Sequence, residues 1–394
     1  MGARFLSLGS QGEMFIIMEM TKQQTFQNML DLYGYYRPAL KNYTFIVATT
    51  ERDNMDLCAD LKGYQGIEKN LFIPFNNGRV SIINDRIFKR IYRKSDSRAR
   101  ILKGVSFDTQ TISYVEALYN KGKVPYENFN NVVNLINGTE YGIDYIPYVL
   151  ENLLFDTSRK YSVERNIFAF EMMCKENYKN EKLCEQRARR VVALYENKKQ
   201  FITEVARDLY KMIYLSLLVI CIVQLRFKKL PLEEKMFFLV NFMSSELCRI
   251  MHPELILAKH YFSKSNSCAF FGKIHVDNKE IIATIKNMAW DIMHLRFISY
   301  GSAYHANKNA DAIIPYFFTY DKRLNEIAQC YALQALVIND KKHTAIPFYA
   351  SISEIVKYVE KYSTYEMHLE RAAKNPNIDA LIGDYERDIQ MLVN

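Results

Sequence analysis

The chain has 394 residues, 49% of them hydrophobic, enough for a substantial core and too many for global disorder. Only 9 Pro and 14 Gly are present, which excludes a turn-rich all-β sandwich and predicts long helices with few breaks. A net charge of +8 and a pI of about 8.9 suit an anionic partner.

The first residues lack a long apolar stretch, so no secretory signal is expected. Leu6 stands where a myristoylation signal at Gly2 needs Ser or Thr. Tyr43–Thr50 is β-branched and aromatic and predicts a strand. Phe72–Phe75 and Arg79–Ile83 flank Asn76-Asn77-Gly78 and predict a short hairpin. A basic stretch follows: Arg86, Lys89, Arg90, Arg93, Lys94, Arg98, Arg100 and Lys103, against one acid, Asp96. It reads either as a solvated helix face or as an arm that contacts phosphates.

Residues 101–107 predict a short buried strand. From Thr109 the period changes, with Ile112, Val115, Leu118 and Tyr119 on one helical face. Asp108 lies at the junction, where Asp is also a favoured helix cap. Tyr141–Asp156 is a further helix; Pro147 starts its regular part and places Glu151 in the first turns. Residues 160–262 are almost wholly helical, with Pro231 and Pro253 at helix starts. Within them Met212–Val223 is apolar but short of the roughly 20 residues of a membrane span. A buried central helix is expected and no membrane partner. Residues 278–300 predict a helix carrying Asn287, Asp291 and Leu295 on one face, and 312–319 a buried strand. Asp321–Leu336 reads as helical. Ala345–Tyr349 reads as an edge strand because of Pro347, and helices run on to residue 392. The seven cysteines include no Cys-x-x-Cys pair. They read as reduced thiols of a cytoplasmic protein, with no zinc site. His252, His260 and His275 are not at metal-ligand spacing.

Asp108, Asp291 and Asp321 stand out by context. Two follow apolar, β-prone runs and one lies in a helical pattern. Carboxylates at strand ends in an α/β sheet point into the crevice where ligands bind. Several carboxylates on one point repel unless a cation is bound, and an all-oxygen set suits Mg²⁺ or Mn²⁺. Two such ions can activate water and stabilise a leaving oxygen in phosphodiester cleavage.

Val105-Ser-Phe-Asp108-Thr109-Gln110 resembles the opening motif of PIN-domain nucleases. Phe317-Phe-Thr319-Tyr-Asp321 resembles that family's late Thr-x-Asp motif, and Asp291 with His294 its acidic residue on the preceding helix. The resemblance covers residues around 101–155 and 285–340. It implies an α/β fold with a PIN-like parallel sheet flanked by helices, and metal-dependent endonuclease activity, on RNA more than DNA. It makes Asp108, Asp291 and Asp321 metal ligands, with Thr109 or Thr319 holding the carboxylates. Glu151 is the first choice for a second acid and Glu171 the second. The domains expected are 1–100, an N-terminal α+β extension with the basic segment, and 101–394, a nuclease domain with a helical insertion at about 157–278. By analogy with free-standing nucleases, a role as toxin or antiviral effector is expected, with a homo-oligomer or an inhibitory protein as further partner.

Each residue also has an ordinary role. Asp108 and Asp321 can cap helices, Asp291 can pair with Arg296, and His294 can be a satisfied core residue. The alternative function is a non-catalytic nucleic-acid-binding or helical scaffold protein. A third reading, a helical dimerisation protein, rests on the apolar helix at 212–223.

Overall fold

A computed structural model of the chain describes residues 11–51, 55–59, 69–75, 78–95, 99–122, 137, 142–174, 180–197, 199–264, 267–304 and 310–393. Its first elements are α1 (Gln11–Thr21), α2 (Phe26–Leu40), β1 (Tyr43–Ala48), β2 (Met55–Asp56), β3 (Leu71–Phe72), β4 (Arg79–Ile83) and α3 (Asp85–Tyr92). Then come β5 (Ile101–Phe107), α4 (Thr109–Lys121), β6 (Gly142–Asp144) and α5 (Ile146–Leu153). A helical stretch follows: α6 (Lys160–Cys174), α7 (Glu181–Asn197), α8 (Lys199–Arg226), α9 (Leu232–Ser245), α10 (His252–Lys264) and α11 (Ile281–Tyr304). The chain closes with β7 (Ala312–Phe318), α12 (Lys322–Ala328), β8 (Leu333–Asn339), β9 (Thr344–Tyr349), α13 (Val356–Val359), α14 (Tyr365–Ala373) and α15 (Ile378–Val393).

The fold is α/β with two sheets. One has the order β2-β4-β1-β8-β9 and is antiparallel throughout. The other has the order β3-β7-β5-β6, in which β7, β5 and β6 are parallel and β3 runs against β7. The single parallel sheet expected from the resemblance is therefore corrected: only three strands are parallel, and a second sheet is antiparallel. Segments on both sides of residue 100 contribute to both sheets, through β1–β8 and β3–β7 pairing.

β1 explains why an apolar run can sit in an antiparallel sheet. Successive side chains point to opposite faces. Phe45 and Val47 pack with Tyr33, Ile83, Ala335 and Val337 under α1 and α2. Ile46 and Ala48 face the main core. Both faces are covered, so alternation of polarity is not needed.

Three local expectations fail for tertiary reasons. Gly142–Asp144, expected inside the helix Tyr141–Asp156, is strand β6, drawn out by parallel pairing with β5. The hairpin across Asn76-Asn77-Gly78 does not form, because β3 joins β7 in one sheet and β4 joins β1 and β2 in the other. Asn76 and Asn77 lie outside the described residues. Gly78 is still needed: its φ is 63°, and a Cβ there would come within 2.6 Å of Cys58 Sγ. The helix expected over Asp321–Leu336 stops at Ala328, and Leu333–Asn339 becomes a central strand. Its slot between β1 and β9 satisfies its backbone groups on both edges and overrides local periodicity.

α8 is the hub of the helical part. Ile213 to Val223 is buried. By length and composition Thr203–Arg226 is long and apolar enough to cross a membrane, but 83% of its apolar window is buried inside the protein. The polar groups at its rim are tied to neighbours. Lys211 Nζ lies 2.6 Å from Asp379, Tyr214 donates to Glu386 at 2.6 Å, and Lys235 donates to Gln224 at 2.9 Å. Among the described residues six cysteines are free thiols.

α10 and α11 are joined by a buried ion pair. Arg296 Nη1 lies 2.9 Å and 3.2 Å from the two oxygens of Glu254, and both residues are buried. Arg296 therefore serves Glu254 and not Asp291. Removing one partner leaves a buried charge uncompensated. Glu254→Ala is expected to destabilise the fold by about 3–5 kcal/mol, measured as a shift in the urea midpoint.

Candidate active site

β5 and β7 end side by side, with Phe107 opposite Phe318. The residues after them leave the sheet together. The Asp108 backbone N–H donates to Phe318 O at 3.3 Å. The Thr319 hydroxyl donates to Asp108 Oδ2, and Asp108 Oδ1 accepts from the Thr111 N–H at 2.6 Å, capping α4. Thr319 Oγ1 also accepts from the Asp321 N–H at 3.0 Å. One hydroxyl thus ties the carboxylate of Asp108 to the backbone of Asp321.

α5 follows β6, the strand on the other side of β5, and carries Glu151. The Thr109 hydroxyl donates to Glu151 Oε2, and Asn152 Nδ2 donates to Thr109 Oγ1 at 3.4 Å. α11 presents Asp291 and, one turn on, His294. Nε2 of His294 lies 3.1 Å from Glu151 Oε2. The ring N–H is not aligned for a hydrogen bond, so the contact is mainly electrostatic. The imidazole packs edge-on to Phe317, centroids 5.7 Å apart.

Asp291 feels the other three carboxylates. Burial pushes Asp291 up to about 8; His294 opposes this, and Glu151, Asp321 and Asp108 add to it. Asp291 keeps some exposed surface, but burial of its carboxylate remains the main cause, with like charge secondary. No hydrogen bond to its carboxylate is found among the described residues. Burial also raises Asp108, against the hydrogen bonds from Thr111 and Thr319. Glu151 goes the other way: burial works to raise it, but His294 and Thr109 hold it below the usual range. His294 is raised, because Glu151, Asp291 and Asp108 outweigh its burial. Asp321 is lowered in spite of burial, because Arg323 grips it, Nη2 on Oδ2 at 2.7 Å and Nε on Oδ1 at 3.1 Å.

The structure therefore brings Asp108, Glu151, Asp291 and Asp321 together with His294, Thr109 and Thr319. Thr109 serves Glu151, and Thr319 serves Asp108. The capping roles hold at the same time, since Asp108 caps α4 and Asp321 caps α12. Glu171 is elsewhere, held by the Tyr145 hydroxyl at 2.8 Å and by Arg187 at 3.3 Å. Arg323 was not singled out from sequence. Its signal was a base two residues after a capping Asp, a pattern too common to stand out.

The basic segment does not lie beside the acids. Asp311 precedes β7 and Arg100 precedes β5, at the opposite end of the parallel strands. Seven residues at roughly 3.3 Å each put about 20 Å between the two ends. There Arg90 makes a two-pronged contact with buried Asp311, at 2.6 Å and 3.1 Å. Arg86 Nη2 donates to Ala310 O at 2.6 Å, and the Arg100 N–H donates to Asp311 at 2.8 Å. Lys89 pairs with Asp85 at 2.6 Å, and Lys103 Nζ donates to Leu57 O at 3.3 Å. Arg93 and Lys94 are exposed, and Arg98 lies outside the described residues. Continuity in sequence with Asp108 is not proximity in space, because strand β5 carries the chain across the sheet.

The four acids offer only oxygen, the ligand type of a hard dication, but no three of them bring ligand oxygens within 4.8 Å of one another in this structure. In metal-free protein the repulsion between them costs stability. The folded-state value of Asp291 lies above its unfolded value. Its contribution is thus fully present below about pH 4 and is lost as pH rises toward about 8. Asp291→Asn, neutral throughout, is expected to gain melting temperature over the wild type as pH rises from about 5 to about 8 in EDTA; a gain independent of pH would contradict this. Arg90→Ala should cost about 1–3 kcal/mol by removing the two-pronged partner of Asp311, which keeps the Arg100 N–H and Arg86, read by denaturant melting.

No protein-family model, curated protein or solved structure matches the chain.

Proposed function

We propose that this chain is a metal-dependent endonuclease that hydrolyses phosphodiester bonds, with RNA as its substrate. What supports this is the placement of Asp108 and Asp321 just past the C-terminal ends of the neighbouring parallel strands β5 and β7, where they cap α4 and α12, with Glu151 on α5 and Asp291 on α11 near enough for Asp291 to feel all three. β6 lies on one side of β5 and β7 on the other, which makes this the switch point of the parallel sheet, where ligands of α/β proteins bind. The preference for RNA comes from the PIN-like resemblance of the sequence motifs; that resemblance does not account for the antiparallel sheet.

Asp108, Glu151, Asp291 and Asp321 would hold Mg²⁺ or Mn²⁺. Bound dications would activate water and stabilise the leaving oxygen. The chain's own contribution is positioning. Thr109 and Thr319 fix two of the acids by hydroxyl donation, and His294 holds Glu151. Arg323 steadies Asp321 and offers a guanidinium edge suited to a phosphate. A toxin or antiviral role, restrained by an inhibitory protein partner, follows by analogy alone.

A second reading, a non-catalytic scaffold or nucleic-acid-binding protein, is favoured by one observation. Asp108 and Asp321 already cap helices, and Arg323 neutralises Asp321. Cleavage of single-stranded RNA separates the two. Wild-type protein with Mn²⁺ or Mg²⁺ should cut the RNA and stop in excess EDTA. Asp108→Asn keeps a good helix cap and so should stay folded, yet lose activity by on the order of 100-fold or more. Equal cleavage with and without EDTA would rule out the mechanism, and no cleavage by folded wild type would favour the scaffold.

A further inference from the structure

Away from the four carboxylates, three residues of different chemistry meet on one point. His260 lies near the end of α10, Cys268 precedes the 3-10 turn Ala269–Phe271, and Glu326 lies in the second half of α12. One ligand atom from each, an imidazole nitrogen, the thiol sulfur and a carboxylate oxygen, lies within 4.8 Å of the other two. Nε2 of His260 is buried and has no hydrogen-bond partner among the described residues. An unmet buried nitrogen costs free energy unless something satisfies it. Glu326 is already oriented, since its Oε2 accepts from the Ala269 N–H at 2.9 Å, which leaves Oε1 for a ligand. Cys268 is buried.

We propose that His260, Cys268 and Glu326 form a Zn²⁺ site, with a water molecule as fourth ligand. Nitrogen, thiolate and one carboxylate are the donor types that zinc accepts, and three protein ligands plus water is a familiar coordination for it. Tetrahedral ligands at zinc distances stand roughly 3.3–3.8 Å apart, so the widest of the three separations would close by at most about 1.5 Å on binding. Thiolate and imidazole select against Mg²⁺. The four carboxylates, by contrast, offer only oxygen. The protein thus sorts two kinds of metal into two places. The ion would join α10, the 3-10 turn and α12, whose first turn is capped by Asp321.

Burial keeps the Cys268 thiol above its usual range and Glu326 adds to this, while the backbone N–H groups of Phe270 and Phe271 oppose it. His260 is lowered by burial and by Lys264, against Glu326 and Glu354. A dication supplies the positive charge that a thiolate here lacks.

The test uses Co²⁺ as a coloured stand-in for Zn²⁺ on the full-length, metal-stripped chain. The wild type should show a sulfur-to-cobalt charge-transfer band and intense visible bands that saturate at one Co²⁺ per chain, and added Zn²⁺ should bleach them. Cys268→Ser should lose the charge-transfer band. Glu326→Gln, on a half-buried residue, should stay folded and bind Co²⁺ at least about tenfold more weakly. Asp108→Asn should keep the full spectrum, which separates this site from the carboxylate cluster. Absence of the band in folded wild type, or its survival in Cys268→Ser, would overturn the proposal.

Discussion

The parallel pairing of β5 with β7 is the constraint on which the site depends. It runs without a break from Ile101 opposite Ala312 to Phe107 opposite Phe318, and it joins segments some two hundred residues apart. Each end is locked by an aspartate. At the start, buried Asp311 accepts from the Arg100 N–H and from Arg90. At the finish, Asp108 accepts from the Thr319 hydroxyl. A slip of register by one residue would turn every side chain of the pair to the other face and would part Asp108 from Thr319. Closing so long a loop is entropically costly, and the two locks with the apolar strand faces offset it.

From that pairing the electrostatics follow. Two strand ends side by side set Asp108 and Asp321 close together, and α5 and α11 close over them with Glu151, Asp291 and His294. The protein compensates three of the four acids: hydroxyls and a backbone N–H for Asp108, Thr109 and His294 for Glu151, Arg323 for Asp321. Among the described residues Asp291 receives no such bond; burial and the other acids push it up, and His294 opposes them. Crowding like charge in this way opposes stability.

Much of the local structure was legible from sequence. β5 and the start of α4 were predicted at the observed residues, because an apolar run followed by Asp-Thr and a change of period marks a strand leading into a capped helix. The central helix around Met212–Val223, the edge strand with Pro347 and the helix carrying Asp291 were legible for similar reasons. Strand pairing was not. Phe72–Phe75 and Arg79–Ile83 look like hairpin arms, yet they enter different sheets. Leu333–Asn339 has a helix-compatible pattern, yet sits between β1 and β9. The charges from Arg86 to Lys103 look like an arm leading to Asp108, but β5 carries the chain to the opposite end of the sheet, and Arg90 neutralises Asp311 there.

The sequence by itself determined where apolar periods change, where caps and prolines start helices, and which acids stand at strand ends. These are local properties, set by backbone and side-chain preferences over a few residues. Only the tertiary structure decided which of those residues meet. It chose Glu151 over Glu171, gave Arg296 to Glu254 instead of Asp291, and brought His260, Cys268 and Glu326 onto one point although no ligand spacing links them. The physical reason is that such meetings depend on strand register and on the burial of both sheet faces, which are fixed by contacts between segments far apart in the chain.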